Sequence, residues 1–144
     1  KRIQRARENS KKLGLSNVHY QVGSALDWHD QEHFDAIYML DLVHHLPAAK
    51  VPNFLEQASA LLKPGGVLLV KEVADRPRYK MLFTLALDRL MVGREPIHYW
   101  PPAELARVLE GLGFEVKTHR MTDFLPYPHT LYIAKRTNEF PSDS

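Results

Sequence analysis

The sequence predicts an α/β fold built on a parallel βαβ unit. Residues 34 to 73 read as an apolar strand, a helix and a second apolar strand, in about 40 residues, the length such a unit needs. Both strands are near-continuous apolar runs, the pattern of strands covered on both faces. Helical and strand-like stretches then continue in turn to residue 135.

Taken in order, the first element is a helix. Ile3, Ala6, Leu13 and Leu15 fall near one side of it, charge fills the remainder, and Gly14 is placed to end it. Asn17 to Val22 alternates as a short strand, and Gly23 to Trp28 reads as a loop leading into polar residues 29 to 33. Phe34 to Leu40 is too short for a helix and too continuous for a strand with one wet face, so a central strand is expected. Pro47 can open the next helix, Ala48 to Leu62, whose Val51, Phe54, Leu55, Ala58, Leu61 and Leu62 repeat at helical spacing. Lys63-Pro64-Gly65-Gly66 should end it before the strand Val67 to Val73. A right-handed crossover follows from that order.

After Pro77, Tyr79 to Val92 is helical and apolar around most of its circumference, so it must be covered on several sides or face a ligand. Residues 93 to 100 read as a loop, and Pro101 starts a helix closed by Gly111 and Gly113. Phe114 to Met121 and Thr130 to Lys135 are the last strands, joined by a loop from Asp123 to His129. The tail, residues 137 to 144, is expected to be disordered.

Composition sets bounds on the function. With 144 residues, 44% hydrophobic and 25% charged, one domain with a real core is the default. The net charge of +2 comes mainly from Lys1, Arg2, Arg5, Arg7, Lys11 and Lys12, which read as a solvated helix face and give no nucleic-acid footprint. No cysteine is present, which excludes disulfides and thiolate chemistry. No apolar run approaches the roughly 20 residues of a membrane span, and no signal peptide is visible. A cytoplasmic protein touching neither membrane nor nucleic acid is expected. Starting on Lys1 in mid-helix sequence suggests a fragment, a processed chain or a missing preceding stretch.

Several segments together resemble the class I, Rossmann-like S-adenosylmethionine-dependent methyltransferases. NVHYQVGSALD (17 to 27) resembles the family's third strand and adenine loop, FDAIYMLDLVHHL (34 to 46) its fourth strand, and LLKPGGVLLVKE (61 to 72) its fifth. GFEV and the final HTLYIAKR resemble its closing antiparallel pair. The resemblance covers residues 1 to 136, the C-terminal part of such a domain, and implies a partial sheet lacking its first two strands. The family's acidic-Gly-x-Gly-x-Gly turn is absent: among seven glycines the one Gly-x-Gly, Gly111-Leu112-Gly113, follows a helical pattern and reads as a cap.

By this resemblance the cofactor is S-adenosylmethionine. Ser24, Ala25 and Leu26 would lie around adenine with Asp27 and Trp28 close by, Ser24 replacing the family's usual acidic residue. Leu40 and Asp41, at the carboxyl end of their strand, would border the methionine portion. Core packing is the competing role for Ala25 and Leu26. His44 stands where the small-molecule O-methyltransferases carry the histidine that takes a proton from the substrate hydroxyl, with Glu72 and Glu95 where those enzymes place flanking acids. An imidazole, with its ordinary pKa near about 6.5, suits that task; the competing role is a helix cap or packing, and His45 is the weaker candidate. His29, His33, His44 and His45 lack a third ligand at usable spacing, so no metal is expected.

Methyl transfer from a sulfonium depends chiefly on alignment and the exclusion of water. An apolar wall of Tyr79, Phe83, Leu87, Met91, Tyr99 and Trp100 would therefore suit a small apolar or aromatic acceptor methylated at oxygen, although the same residues could form a helix-helix core. In the family's sheet order, 3-2-1-4-5-7-6, loss of the first two strands leaves the third without a neighbour. A preceding segment, a second chain or a swap would have to complete the sheet. The rival readings are a non-catalytic methyltransferase-like binding or scaffold domain that has lost the cofactor, and a nucleotide-linked oxidoreductase, which the HHLP and KPGG context argues against.

Overall fold

A computed structural model of the chain describes residues 2–27, 33–74, 78–92, 98–121 and 128–136. The chain divides into two compact units, residues 1 to 30 and 31 to 144. In the first unit, α1 (Arg2–Lys12) ends where Gly14 turns to φ 68 and Leu15 N–H donates to the Ser10 carbonyl at 2.9 Å. That bond is a left-handed helix cap of the kind glycine favours. Ser10 is the buried residue of α1; its hydroxyl meets the Tyr20 hydroxyl at 2.5 Å, and the Arg7 guanidinium donates to the Tyr20 carbonyl at 2.8 Å.

The expected strand at Asn17 to Val22 does not form. Tyr20 is held by side chains of α1, and no described residue of the unit offers the segment a backbone ladder. Alternation sets which way side chains would point, whereas a strand exists only once its N–H and C=O groups have partners. A 3₁₀ turn, Ala25–Asp27, follows.

The second unit holds one sheet of β1 (Phe34–Leu40), β2 (Leu62–Val73), β3 (Phe114–Met121) and β4 (His129–Arg136), in the order β1-β2-β4-β3. β1 and β2 run parallel from Ala36 opposite Val67 to Leu40 opposite Lys71. β4 runs antiparallel to both β2 and β3. The parallel pair and the antiparallel pair expected from the sequence are therefore present in one sheet.

A 3₁₀ turn opened by Pro47 leads into α2 (Val51–Ala60), which stops two residues earlier than its apolar spacing suggests. The KPGG segment lies inside β2, where an irregularity carries the register from Phe34 opposite Leu62 to Ala36 opposite Val67. Two glycines make that path possible. Gly65 has φ 74, and a Cβ on Gly66 would sit 2.9 Å from the Lys63 carbonyl oxygen and 3.3 Å from that of Asp35. The Arg136 guanidinium donates to the Ser59 and Leu62 carbonyls at 3.1 and 2.9 Å, tying the end of α2 to β4.

Alternation sorts the sheet into two faces. Leu68, Val70 and Glu72 of β2 stand opposite Ala134, Tyr132 and Thr130 of β4, and all six are buried. Val51, Phe54, Leu55 and Ala58 of α2, with Leu105 and Leu109 of α4 (Pro102–Gly111), are buried as well. α4 packs on β3 and ends at Gly113, φ 83. The other face is less covered at β1, where Tyr38 is 67% and Leu40 63% exposed. β1 thus stands at the edge of the four-stranded sheet and not in its middle. Its apolar continuity suits two covered faces, and the described strands of this unit cover only one edge. α3 (Arg78–Val92) leaves Tyr79, Leu82, Phe83 and Leu90 exposed. Among the described residues no helix is long and apolar enough to cross a membrane.

Candidate functional site

Parallel strands deliver their carboxyl ends to one edge of a sheet, and open α/β sheets bind ligands there. At that edge β1 gives way to Asp41, whose φ of 51 sends the backbone into a 3₁₀ turn, Val43–His45. A non-glycine residue at positive φ is uncommon, and Asp is among the residues that tolerate it. The turn is held by the penultimate residue of β2. Leu42 and Val43 N–H donate to Glu72 Oε1 at 2.9 and 2.5 Å, and His44 Nδ1 lies 2.5 Å from Glu72 Oε2.

Both partners of this couple are buried, His44 and Glu72 each 2% exposed. Glu72 faces three donors at short range, which compensates the burial of a carboxylate far from water. An ionised carboxylate can only accept, so this contact assigns the proton to His44 Nδ1 and leaves the lone pair on Nε2. The His44 ring lies 4.0 Å from the His45 ring and 5.6 Å from that of Tyr99, centroid to centroid, and His98 N–H donates to the His44 carbonyl at 3.0 Å. A histidine so oriented can take a proton at Nε2 while the carboxylate stabilises the imidazolium.

On the opposite face of β2, Lys71 Nζ reaches Asp41 Oδ2 at 2.9 Å, and His129 Nε2 of β4 stands 3.3 Å from Asp41 Oδ1. Neither Lys71 nor His129 was expected at the site. Alternation along β2 could have placed Lys71 opposite in sense to Glu72, but the register that brings up His129 is a long-range property.

The structure thus joins His44 to Glu72 and sets Asp41 at the head of the same turn. Leu40 projects from the last position of β1, largely exposed. Ser24, Ala25 and Leu26 belong to the other unit, where Leu26 N–H donates to Ser24 Oγ at 3.2 Å and Asp27 N–H to the Ser24 carbonyl at 3.2 Å. Of the expected acceptor wall, Tyr79 and Phe83 are exposed and Leu87 half-buried on α3, and Trp100 is buried with its ring edge-on to His98 at 4.9 Å. Trp100 Nε1 is a buried donor with no hydrogen-bond partner among the described residues. The Met91 side chain, Trp28 and Glu95 lie outside the described residues.

Comparison with known proteins agrees with this architecture. Residues 3–119 match the model of a family described as "Methyltransferase domain". Over 111 residues the chain is 31% identical to a ubiquinone biosynthesis O-methyltransferase of Rhodopseudomonas palustris (strain BisB5), an alignment spanning 69% of this chain and 40% of that protein. Among solved structures, an O-methyltransferase family protein from Burkholderia thailandensis superposes with a TM-score of 0.77 at 22% identity, covering 95% of this chain and 41% of the other. A mitomycin 7-O-methyltransferase gives 0.74 at 21% identity, covering 94% and 39%. Identities this low speak to the fold. The chain spans about 40% of the length of the curated relative it matches.

Proposed function

The chain belongs to the methyltransferase domain family, and on that premise we propose that it is the C-terminal part of an S-adenosylmethionine-dependent enzyme that methylates a small apolar or aromatic acceptor at oxygen. The observation that carries the proposal is the buried His44–Glu72 couple at the carboxyl end of the parallel pair. Glu72 fixes the ring and its tautomer, and Nε2 receives the proton of the acceptor hydroxyl as the oxygen forms its bond to the methyl carbon. The exposed Leu40 suits the apolar flank of the methionine portion of the cofactor, with Asp41 beside it at the head of the turn. When bound, S-adenosylmethionine supplies the electrophilic methyl group on sulfur; the chain supplies orientation, exclusion of water and the proton acceptor. Trp100 Nε1 offers a buried N–H to an acceptor that brings an oxygen of its own. Ser24, Ala25 and Leu26 are assigned to the adenine end. The glycine turn absent from this sequence, and the strands that flank β1, are assigned to a segment preceding Lys1 or to a second chain. The ring of His44 is nearly closed off, so the cover that includes Tyr99 must shift for an acceptor to reach it.

Single-turnover methyl transfer tests the role of His44, using a form extended upstream of Lys1. His44→Ala should lower the rate by about a hundredfold or more while cofactor affinity changes only about threefold. A mutant with normal turnover assigns the couple to holding the turn. The burial of His44 favours one second reading, a non-catalytic binding domain on the same fold, for which no methyl transfer by the extended wild type is expected.

A further inference from the structure

We propose that Lys71 and His129 are positioning residues that hold Asp41 in its left-handed conformation and so aim the turn carrying His44; the proposal rests on the reading of that turn as the bearer of the proton acceptor. Asp41 is the single non-glycine residue with positive φ among those described. Such a backbone crowds Cβ against the following carbonyl, and it persists where surrounding bonds over-determine it. Here those bonds come from two neighbouring residues of one strand and from the strand beside it. Asp41 N–H donates to the Lys71 carbonyl at 2.9 Å, which carries the β1–β2 ladder one residue past β1. The Asp41 carboxylate then takes Lys71 Nζ at 2.9 Å and faces His129 Nε2 at 3.3 Å.

Sidedness gives the arrangement its effect. Lys71 and Glu72 are consecutive on β2, so their side chains leave opposite faces of the sheet. Glu72 fixes the amides that follow Asp41, and Lys71 with His129 fixes the Asp41 side chain from the other face. Relaxing residue 41 to an extended conformation would break one of these sets. The Lys71 and His129 side chains are mostly covered, while the Asp41 side chain they hold is 43% exposed. Nothing in the proposed chemistry uses either side chain directly.

Two readouts test this. In nuclear magnetic resonance of the 144-residue chain, a positive φ at residue 41 gives a strong intraresidue amide-to-Hα NOE. Lys71→Met, which keeps the aliphatic stem and removes the charge, should weaken that NOE; Lys71→Arg should preserve it, and His129→Gln should weaken it less. In the form extended upstream of Lys1, Lys71→Met should lower kcat about three- to tenfold while KM for S-adenosylmethionine stays within about twofold, and Lys71→Arg should recover most of the loss. Asp41→Gly adopts positive φ without help from a side chain. In that background Lys71→Met should therefore change kcat by less than about twofold, a non-additivity expected of residues acting through one another. An undiminished NOE in folded Lys71→Met, or the same kcat loss in both backgrounds, overturns the proposal. Absence of methyl transfer in the extended wild type would overturn the functional reading instead, and the NOE measurement would still decide the positioning.

Discussion

At the scale of single residues, Glu72 has two tasks in one carboxylate. It neutralises the donors of the Leu42–Val43 backbone and orients the His44 ring, so its loss should cost stability as well as chemistry. Each buried donor left without a partner costs about 1–3 kcal/mol, and Glu72→Ala should therefore lower the unfolding free energy by about 3 kcal/mol or more. Glu72→Gln keeps an acceptor oxygen and should cost clearly less. Urea denaturation of both variants decides the matter, and equal, small losses would show that the amides find water instead. The residue identities at this site were partly legible in the sequence. Asp41, His44 and Glu72 are legible through the resemblance of residues 34 to 46 and 61 to 72 to the methyltransferase fourth and fifth strands. Lys71 and His129 look like ordinary surface residues, since only the register of β4 brings His129 to Asp41.

At the scale of elements, periodicity placed the helices and strands well and failed where backbone geometry or a partner decides. The apolar spacing of Ala48 to Leu62 overruns the helix, because Leu61 caps it and Leu62 is already the first, buried residue of β2. Asn17 to Val22 shows the opposite failure, an alternation with no ladder. In sequence the KPGG segment reads as a stop, and the structure gives it a sharper job, bringing one backbone against another at Gly66. Gly66→Ala should cost about 1–3 kcal/mol, because the atoms its Cβ would meet include the backbone oxygens of Lys63 and Asp35, which cannot swing away. Gly23→Ala meets no atom within 4 Å and should stay within about 0.5 kcal/mol. Thermal unfolding of the two side by side checks this; similar behaviour would mean that the strand shifts to make room.

At the scale of the whole molecule, the sequence carried the fold class because it is written in local patterns, apolar runs and helical spacing. The expected cofactor residues fall in two compact units, Ser24, Ala25 and Leu26 in one and Leu40 and Asp41 in the other. A domain that spans about 40% of its curated relative and lacks a glycine turn should hold S-adenosylmethionine weakly. Calorimetry should give at least about tenfold weaker binding for the 144-residue chain than for a form extended upstream of Lys1, a difference of about 1.4 kcal/mol. Equally tight binding by the two would make the glycine turn dispensable.

The strand order also has a consequence for how the protein is made. β2 lies between β1, which precedes it by one helix, and β4, which follows it only after α3, α4 and β3. Emerging from a ribosome, the chain can close the β1–α2–β2 unit early, because the loop to be closed is short. The other edge of β2, the run VLLVKEV from Val67 to Val73, must then wait until residue 136 has been synthesised before its native neighbour arrives. For that interval an apolar, β-prone strand presents bare amides and carbonyls to its surroundings, the condition under which nascent chains pair with one another. Slow translation between residues 74 and 129 would lengthen this exposure, and a chaperone that binds extended apolar segments would find its natural client in β2.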